Sequence, residues 1–202
     1  MSTPSIVDLV NAQLGPEGVR TLGDRFGLDP ATTQKAIAAA VPLLTGGLAK
    51  NAAQPQGAAA LHQAVARDHD GSILDNLGGF LSGGSTNLGG AILGHIFGNR
   101  QGGAADGLAR TTGIDAGTAG QILMMLAPLI LGALGKVTRQ QNLDTGGLTD
   151  VLNRSNTQAQ AQAPSGLDGI LGGLLDQDKD GSVMDDIARM GGGMLGDLFG
   201  KK

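Results

Sequence analysis

GIDAGTAGQILMMLAPLILGALGK, residues 113–136, contains the longest apolar run of the chain, and GLDPATTQKAIAAAVPLLTGGLAK, residues 27–50, is its earlier counterpart. The two segments align at an offset of 86 residues, with a Gly-x-Asp start, a central proline and a final lysine in both. One offset held over more than twenty positions indicates an internal repeat. The sequence therefore predicts an all-α fold with a duplicated helical unit, whose halves lie at about residues 20–50 and 106–136.

Each copy has the pattern of a short helix, a glycine stop, an aspartate cap and a longer apolar helix. Asp29 and Asp115 are placed to accept hydrogen bonds from the first N–H groups of the longer helices. Pro42 and Pro128 fall inside the apolar stretches, where a proline kinks or breaks a helix. We therefore expect a kinked central helix in each half.

The composition predicts a glycine-rich, aliphatic core with closely packed helices. The chain of 202 residues has 36 Gly and 4 Phe, and it has no Tyr or Trp. Glycine inside a helix costs about 1 kcal/mol relative to alanine, so these helices depend on packing for their stability.

Charge and cysteine content exclude several classes of function. The chain lacks cysteine, which excludes disulfides and thiolate chemistry. A net charge of −4 argues against binding to a nucleic-acid backbone. The N-terminus lacks the basic and apolar regions of a secretory signal, so we expect a cytoplasmic protein, with signal-independent export left open.

The apolar run at residues 122–134 raises the question of membrane insertion. Its 13 residues are fewer than the roughly 20 that a membrane span needs. The run therefore favours a buried central helix, with membrane contact as the alternative.

Two further repeats organise the rest of the chain. Residues 68–76 parallel 178–186 at an offset of 110, and residues 90–98 parallel 192–200 at an offset of 102. The polar segment 154–165 lacks apolar periodicity and contains proline, which predicts a flexible linker. We therefore predict a duplicated helical body at 1–153 and a C-terminal helix–loop–helix at 166–202.

The order of these elements resembles the bacterial domain of unknown function numbered 937. The matching pieces are GLDPATTQKAIAAAVPLLTGGLAKNA, ALHQAVARDHDGSILDNLGGFL, ILGHIFG, TGIDAGTAGQILMMLAPLILGALG and the acidic LLDQDKDGSVMDDI. The resemblance covers roughly residues 4 to 200. It implies an all-helical bacterial protein with no assigned activity.

DQDKDGSVMDDI, residues 176–187, resembles an EF-hand calcium loop. Aspartates stand at loop positions 1, 3 and 5 and a glycine at position 6, as such a loop requires. Met184 at position 9 would be replaced by water, and Ile187 at position 12 cannot ligate, so the neighbouring carboxylates would have to reach in. The predicted Ca²⁺ ligands are Asp176, Asp178, Asp180, the Ser182 carbonyl, Asp185 and Asp186.

A helix cap is the alternative interpretation of this acidic segment. Ser182 and Asp185 have capping-box spacing, with aspartate where glutamate is usual. In the earlier copy, residues 66–77, the only candidate side-chain ligands are Asp68, Asp70 and Asp75. There we expect a degenerate loop in which Ser72 and Asp75 form the cap.

Catalytic motifs are absent from the sequence, so we expect no enzyme. His62, His69 and His95 stand in none of the nucleophile, zinc or phosphate-loop patterns. GGSTNLGG and GNRQGG are not preceded by a predicted strand, which excludes a dinucleotide site. His95 lies in an apolar stretch and is expected to be a packing residue.

The sequence is typical of a structural, interaction or self-assembling module whose tail is ordered by calcium. Residues 88–97 and 194–199 are the expected docking faces, and the expected partner is a second copy or another protein. The alternative is a membrane-surface or envelope-associated protein that inserts an apolar helix.

Overall fold

The computed structural model describes residues 5–69, 71–83 and 86–164, and the regular elements in these ranges are helical. The all-α prediction is therefore confirmed. In the described ranges, the 3₁₀ turn Gly98–Arg100 accompanies the α-helices. These are α1 (Ile6–Phe26), α2 (Pro30–Ala52), α3 (Pro55–Arg67), α4 (Ser72–Asp75), α5 (Leu77–Gly83), α6 (Thr86–Phe97), α7 (Gln101–Thr112), α8 (Ala116–Gln140) and α9 (Thr145–Ala161).

The core is built around α2 and α8, which pack against each other. α6, α7 and α1 surround α8, while α9, α1 and α7 surround α2. Residues 122–134 are buried apart from Met124, which is half-buried. The predicted buried central helix is thus confirmed.

Glycine stops and aspartate caps begin both central helices where the sequence predicts them. Gly27 and Gly113 adopt left-handed conformations, with φ of 67° and 81°, which end α1 and α7. Asp29 accepts hydrogen bonds from two backbone N–H groups of α2 at 3.0 Å, and Asp115 accepts one from Thr118 at 2.9 Å. Hydrogen bonds from Thr32 and from Thr118, respectively, lower the pKa of these two carboxyls.

The two internal prolines do not break their helices. α2 continues through Pro42 and α8 through Pro128. The kinks predicted at these prolines stay predictions. Helical geometry is interrupted in α1, where Gly15 adopts φ 49° and ψ −171°, directly before Pro16. Glycine tolerates this conformation without a Cβ clash, and proline is favoured at the first position of the helix that follows.

The interpretation of residues 154–165 as a flexible linker was wrong for residues 154–161. These residues form the last turns of α9, whose N-terminus is capped by Asp144. Ser155 and Ala159 are buried, although the side chains around them are mostly polar. Packing of α9 against α2 and α1 accompanies a helix that the sequence pattern alone does not show.

Close helix packing, expected from the glycine content, occurs at specific positions. A Cβ on Gly89 of α6 would overlap the backbone oxygen of Met124 in α8. A Cβ on Gly135 of α8 would overlap the backbone oxygen of His69 in the same way. The backbones therefore approach closely at these two glycines.

The start of α1 is tied to the end of α9. Ser5 and Asp8 form a capping box, in which the Asp8 N–H donates to Ser5 Oγ at 3.1 Å. The backbone N–H of Ile6 donates to the buried Ser155 Oγ at 3.3 Å, and Gln158 Nε2 donates to Asp8 Oδ1 at 3.0 Å. Hydrogen bonds from Ser5 and then Gln158 lower the pKa of Asp8. These contacts fix two walls of a surface groove.

Candidate functional site: an apolar groove between α1, α2 and α9

A groove of about 350 Å³ opens between α1, α2 and the end of α9. The bend of α1 at Gly15 forms one end of it. Its lining, hereafter the α2 groove, comprises Val7, Asn11, Leu14, Gly15, Pro16 and Val19 of α1, Gln34, Ile37, Ala38, Val41 and Pro42 of α2, and Ala159 and Gln162 at the end of α9.

The chemistry of the α2 groove is apolar with a neutral polar rim. Its polar side chains are the amides of Asn11, Gln34 and Gln162, and none of its described lining residues carries a charge. Ala38 is exposed, whereas Ile37 and Val41 beside it are buried. Such a surface can bind an apolar segment and offers amide hydrogen bonds at its edge, but it presents no acid, base or nucleophile.

The three histidines lie on different parts of the fold. His62 Nε2 lies 3.0 Å from the Leu143 carbonyl oxygen. His69 follows α3, and its burial lowers its pKa. His95 is exposed on α6, so its interpretation as a packing residue was wrong. Over the described ranges, no group of three or more His, Cys, Asp or Glu could hold a metal ion.

The segment at residues 66–77 begins a helix differently from the prediction. The N-cap of α4 is Gly71, at φ 94°, and Ser72 is already the first helical residue. Gly71 lies against α8, where a Cβ would come 3.0 Å from Cβ of Lys136. Asp75 instead forms an exposed ion pair with Lys136, with an N–O distance of 3.9 Å. The Ser72–Asp75 capping box was therefore a wrong prediction, and Asp70 lies outside the described residues.

The acidic loop at residues 176–187 also lies outside the described residues. Its six predicted ligands, from Asp176 to Asp186, and the alternative cap at Ser182 stay predictions.

The expected docking face at residues 88–97 is largely covered by the chain itself. Ile92, Leu93 and Ile96 of α6 are buried, and α6 packs against α8. Among the described residues, Leu88 is the large apolar side chain that stays exposed, at 46%. The second expected face, residues 194–199, lies beyond the described ranges.

α8 is longer than the apolar run that marks it in the sequence. Its 25 residues are long and apolar enough to cross a membrane, so the argument from a 13-residue run was too strict. However, 72% of its most apolar window is buried inside the protein. α2 and α3 are long and apolar enough to cross a membrane only when taken together, and they are bent by 120° at the break between them.

The site missed by the sequence analysis is the α2 groove. It joins residues from positions 7 to 162, and no local pattern connects them. The signal that was present is Gly15-Pro16 inside an otherwise helical stretch, which marks the bend that forms one end of the groove.

Fold and groove together define an all-helical protein with an apolar surface groove on a glycine-packed core. The chain belongs to a family of bacterial proteins of unknown function, DUF937, whose model matches residues 8–137 and 138–202. The resemblance seen in the sequence is thereby confirmed. No curated protein and no solved structure matches the chain.

Proposed function

We propose that this protein is a non-enzymatic interaction module that assembles with further copies of itself. In this proposal the α2 groove of one chain binds an apolar segment of another. The observation that carries the proposal is the groove itself, a concave apolar surface with neutral amides at its rim and no charged lining residue.

The geometry of the groove favours a helical segment as its ligand. Two helices, α1 and α2, form its long walls, and the small Ala38 lies exposed between larger side chains. A helix with small residues on one face fits closely between such walls, and apolar anchors supply the affinity. Amide groups at the rim then pair with the ligand's polar ends without needing a charged partner.

In the proposed contact, two different surfaces meet, a groove on one chain and an apolar segment of another, and this asymmetry leads to self-assembly. The α2 groove lies in the described part of the chain, and the C-terminal segment at residues 194–199 is apolar and glycine-flanked. A groove on one copy that receives a segment of the next is a heterologous contact, which produces rings or open chains of molecules.

The proposal also includes calcium binding by the acidic segment and duplication of a helical unit. Residues 176–187 would bind Ca²⁺ and thereby order the C-terminal segment near the groove. The offset of 86 between α2 and α8 would reflect one helical unit used twice. The position that is covered on α8 would then be open as a groove on α2.

Light scattering with matched groove and surface variants tests the assembly proposal. Ala38→Arg places a charged side chain in the groove, whereas Ala91→Arg makes the same change at an exposed position of α6. We expect a solution mass above one chain for the native protein and for Ala91→Arg, and a reduced mass for Ala38→Arg. A single-chain mass for the native protein at all concentrations would contradict the proposal.

A separate variant tests calcium binding. Asp178→Ala/Asp180→Ala removes two predicted ligands outside the described residues. We expect added calcium to raise the mass of the native protein relative to a chelator, and to leave the double variant unchanged. Equal masses in calcium and chelator, without heat of binding, would make the acidic segment a helix cap only.

Membrane association through α8 is the second candidate, favoured by the length and apolarity of that helix. Because most of α8 is buried, insertion would require the surrounding helices to open. Flotation with vesicles of anionic phospholipid tests it. Protein that stays with the soluble fraction would leave assembly as the function.

A further inference from the structure

We infer that residues 6–14 of α1, hereafter the arm, exchange between two copies of the protein, so that the arm of each copy lies on α9 of the other. The inference goes beyond the proposed function, because it names a contact between copies that differs from docking in the α2 groove. The observation that carries it is the break at Gly15-Pro16, which joins the arm to the rest of α1 and separates two sets of attachments.

The break in α1 follows from the local sequence. A residue that precedes proline disfavours helical geometry, and Pro16 has no N–H to donate to the carbonyl of the preceding turn. Gly15 adopts φ 49° and ψ −171°, a conformation that other residues rarely reach. A Cβ on Gly15 would meet nothing within 4 Å, so backbone geometry, and not packing, is what requires glycine here. These two residues therefore set the direction of the arm.

The two sides of the break are attached to different parts of the fold. Beyond it, Arg25 Nη1 donates to the Leu81 carbonyl of α5 at 2.8 Å. Before it, hydrogen bonds with Ser155 and Gln158 hold the arm on α9. Without the kink, α1 would be a straight helix of about 31 Å, whose arm would point away from α9 while its second half stayed on α5. Straightening α1 therefore releases the arm from its own chain.

The arm carries too much buried surface to lie free in water. Its large apolar side chains Ile6, Val7, Val10 and Leu14 are buried in the core. Exposing four such side chains would cost a large share of the stability of an ordinary domain. A released arm is therefore stable only in an identical seat, and a second copy of this chain offers that seat. Exchange restores the same contacts between molecules, which makes it a low-cost route to oligomers.

The exchanged arm supplies part of the α2 groove. Val7, Asn11 and Leu14 line the groove from the arm, opposite residues of α2 and α9 such as Ala38 and Ala159. In the exchanged pair the two sides belong to different copies, so each groove is built from two chains. Each copy gives an arm and offers a seat, and reciprocal exchange closes the pair with two-fold symmetry.

Disulfide trapping tests the exchange, since the chain has no native cysteine to interfere. The test pair is Asp8→Cys/Gln158→Cys, because these side chains are hydrogen-bonded at 3.0 Å between the arm and α9. Gly90→Cys/Met124→Cys is the control pair, which joins α6 to α8 at a contact that the exchange leaves within one chain. Both full-length proteins are refolded from urea at low and at high concentration and are then oxidised.

We expect the test pair to link within one chain in dilute protein and between two chains in concentrated protein, with at least a tenfold rise in the ratio. The control pair should link within one chain at both concentrations. Links of the test pair within one chain only, at both concentrations, would overturn the inference. So would the absence of any link, because the arm would then not lie on α9.

A straightened α1 sharpens the test. Gly15→Ala/Pro16→Ala removes the kink, and added to the test pair it should raise the ratio of links between chains severalfold even in dilute protein. Gly98→Ala is the matched control, because Gly98 also has a positive φ, 55°, and open space at its Cβ, but it lies after α6. Equal ratios for the two variants would overturn the inference. If circular dichroism shows that the straightened variant does not fold, the concentration series of the test pair still decides.

The links also distinguish exchange from groove docking, because docking leaves each arm on its own α9. A raised mass with links within one chain only would leave docking standing and refute the exchange. A mass of two chains that Ala38→Arg does not change, with links between chains, would confirm the exchange and refute docking.

Discussion

α2 and α8 are alike on the side that faces the core and different on the side that faces outward. Both are apolar helices capped by aspartate and continuous through an internal proline. Leu44 of α2 and the corresponding Ile130 of α8 are both 0% exposed. On the outer side, however, Met124 of α8 lies beneath α6, whereas the corresponding Ala38 of α2 is exposed in a groove.

The difference shows which part of the sequence determines a binding surface. The apolar pattern of a helix fixes its buried side, because burial of that side stabilises the fold wherever the helix lies. What covers the outer side depends on a separate segment, which is α6 for α8. In our proposal, the α2 groove is the surface that binds a further helix.

The largest effects are expected for truncation of the equivalent core residues. Leu44→Ala and Ile130→Ala each remove a fully buried side chain and should destabilise the protein by about 2–5 kcal/mol. If the two helices carry equivalent cores, the two losses should agree within about 1 kcal/mol. Urea denaturation measures both, and a much smaller loss at one position would break the equivalence on which the comparison rests.

The contact between α6 and α8 is tested by a single methyl group. Gly89→Ala places a Cβ into the Met124 carbonyl and should cost roughly 1–3 kcal/mol. Gly102→Ala in α7 has nothing within 4 Å of its new Cβ, so there the gain in helix propensity should stabilise the protein by up to about 1 kcal/mol. Equal changes in the free energy of unfolding for the two substitutions, measured by chemical denaturation, would show that α6 and α8 are not in close contact at Gly89.

The wall of the groove formed by α9 depends on a buried hydroxyl. Ser155→Ala removes the acceptor of the Ile6 N–H, and we expect a loss of about 1 kcal/mol, because the bond is long at 3.3 Å. Thr157→Ala, two residues later on the exposed side of α9, should change stability by less than about 0.5 kcal/mol. Thermal unfolding of the two variants measures the difference, and an unaffected Ser155→Ala would remove the tie between α9 and α1.

The smallest effect is the pH dependence of the helix caps. The pKa values of Asp8, Asp29 and Asp115 are lowered from 3.8 in the folded protein, so these carboxyls stabilise the fold above that value. Their stabilisation is lost as the pH falls through the lowered pKa values. Asp29→Asn/Asp115→Asn keeps hydrogen-bond acceptors that do not titrate, so its melting temperature should fall less between about pH 5 and about pH 2. Parallel melting curves for both proteins would contradict the role of these caps.

Local sequence patterns predict the structural features that depend on interactions between residues close together in the chain. The glycine stops and the caps at Asp29 and Asp115 follow from backbone geometry within a few residues, and all of them form. The burial of α8 follows from the length of its apolar run. The resemblance to DUF937 rests on motifs of the same kind.

Contacts between distant segments decide the features that the sequence does not predict. Past residue 154, α9 packs against α2 and α1, and the Ile6 N–H donates to Ser155 Oγ from 149 residues away along the chain. α4 begins after Gly71 because that residue lies against α8. The α2 groove depends on three helices and on the bend at Gly15, so it has no local sequence pattern of its own.

Thiol protection at Ala38 tests most directly whether the α2 groove binds a segment of this protein. Ala38→Cys gives the full-length chain a single thiol in the groove, and Ala31→Cys gives one at an exposed site on the same helix. The account predicts alkylation at position 38 to be roughly tenfold slower than at position 31, with equal rates once the protein is unfolded. Equal rates in the folded protein would show an open groove and would contradict the account.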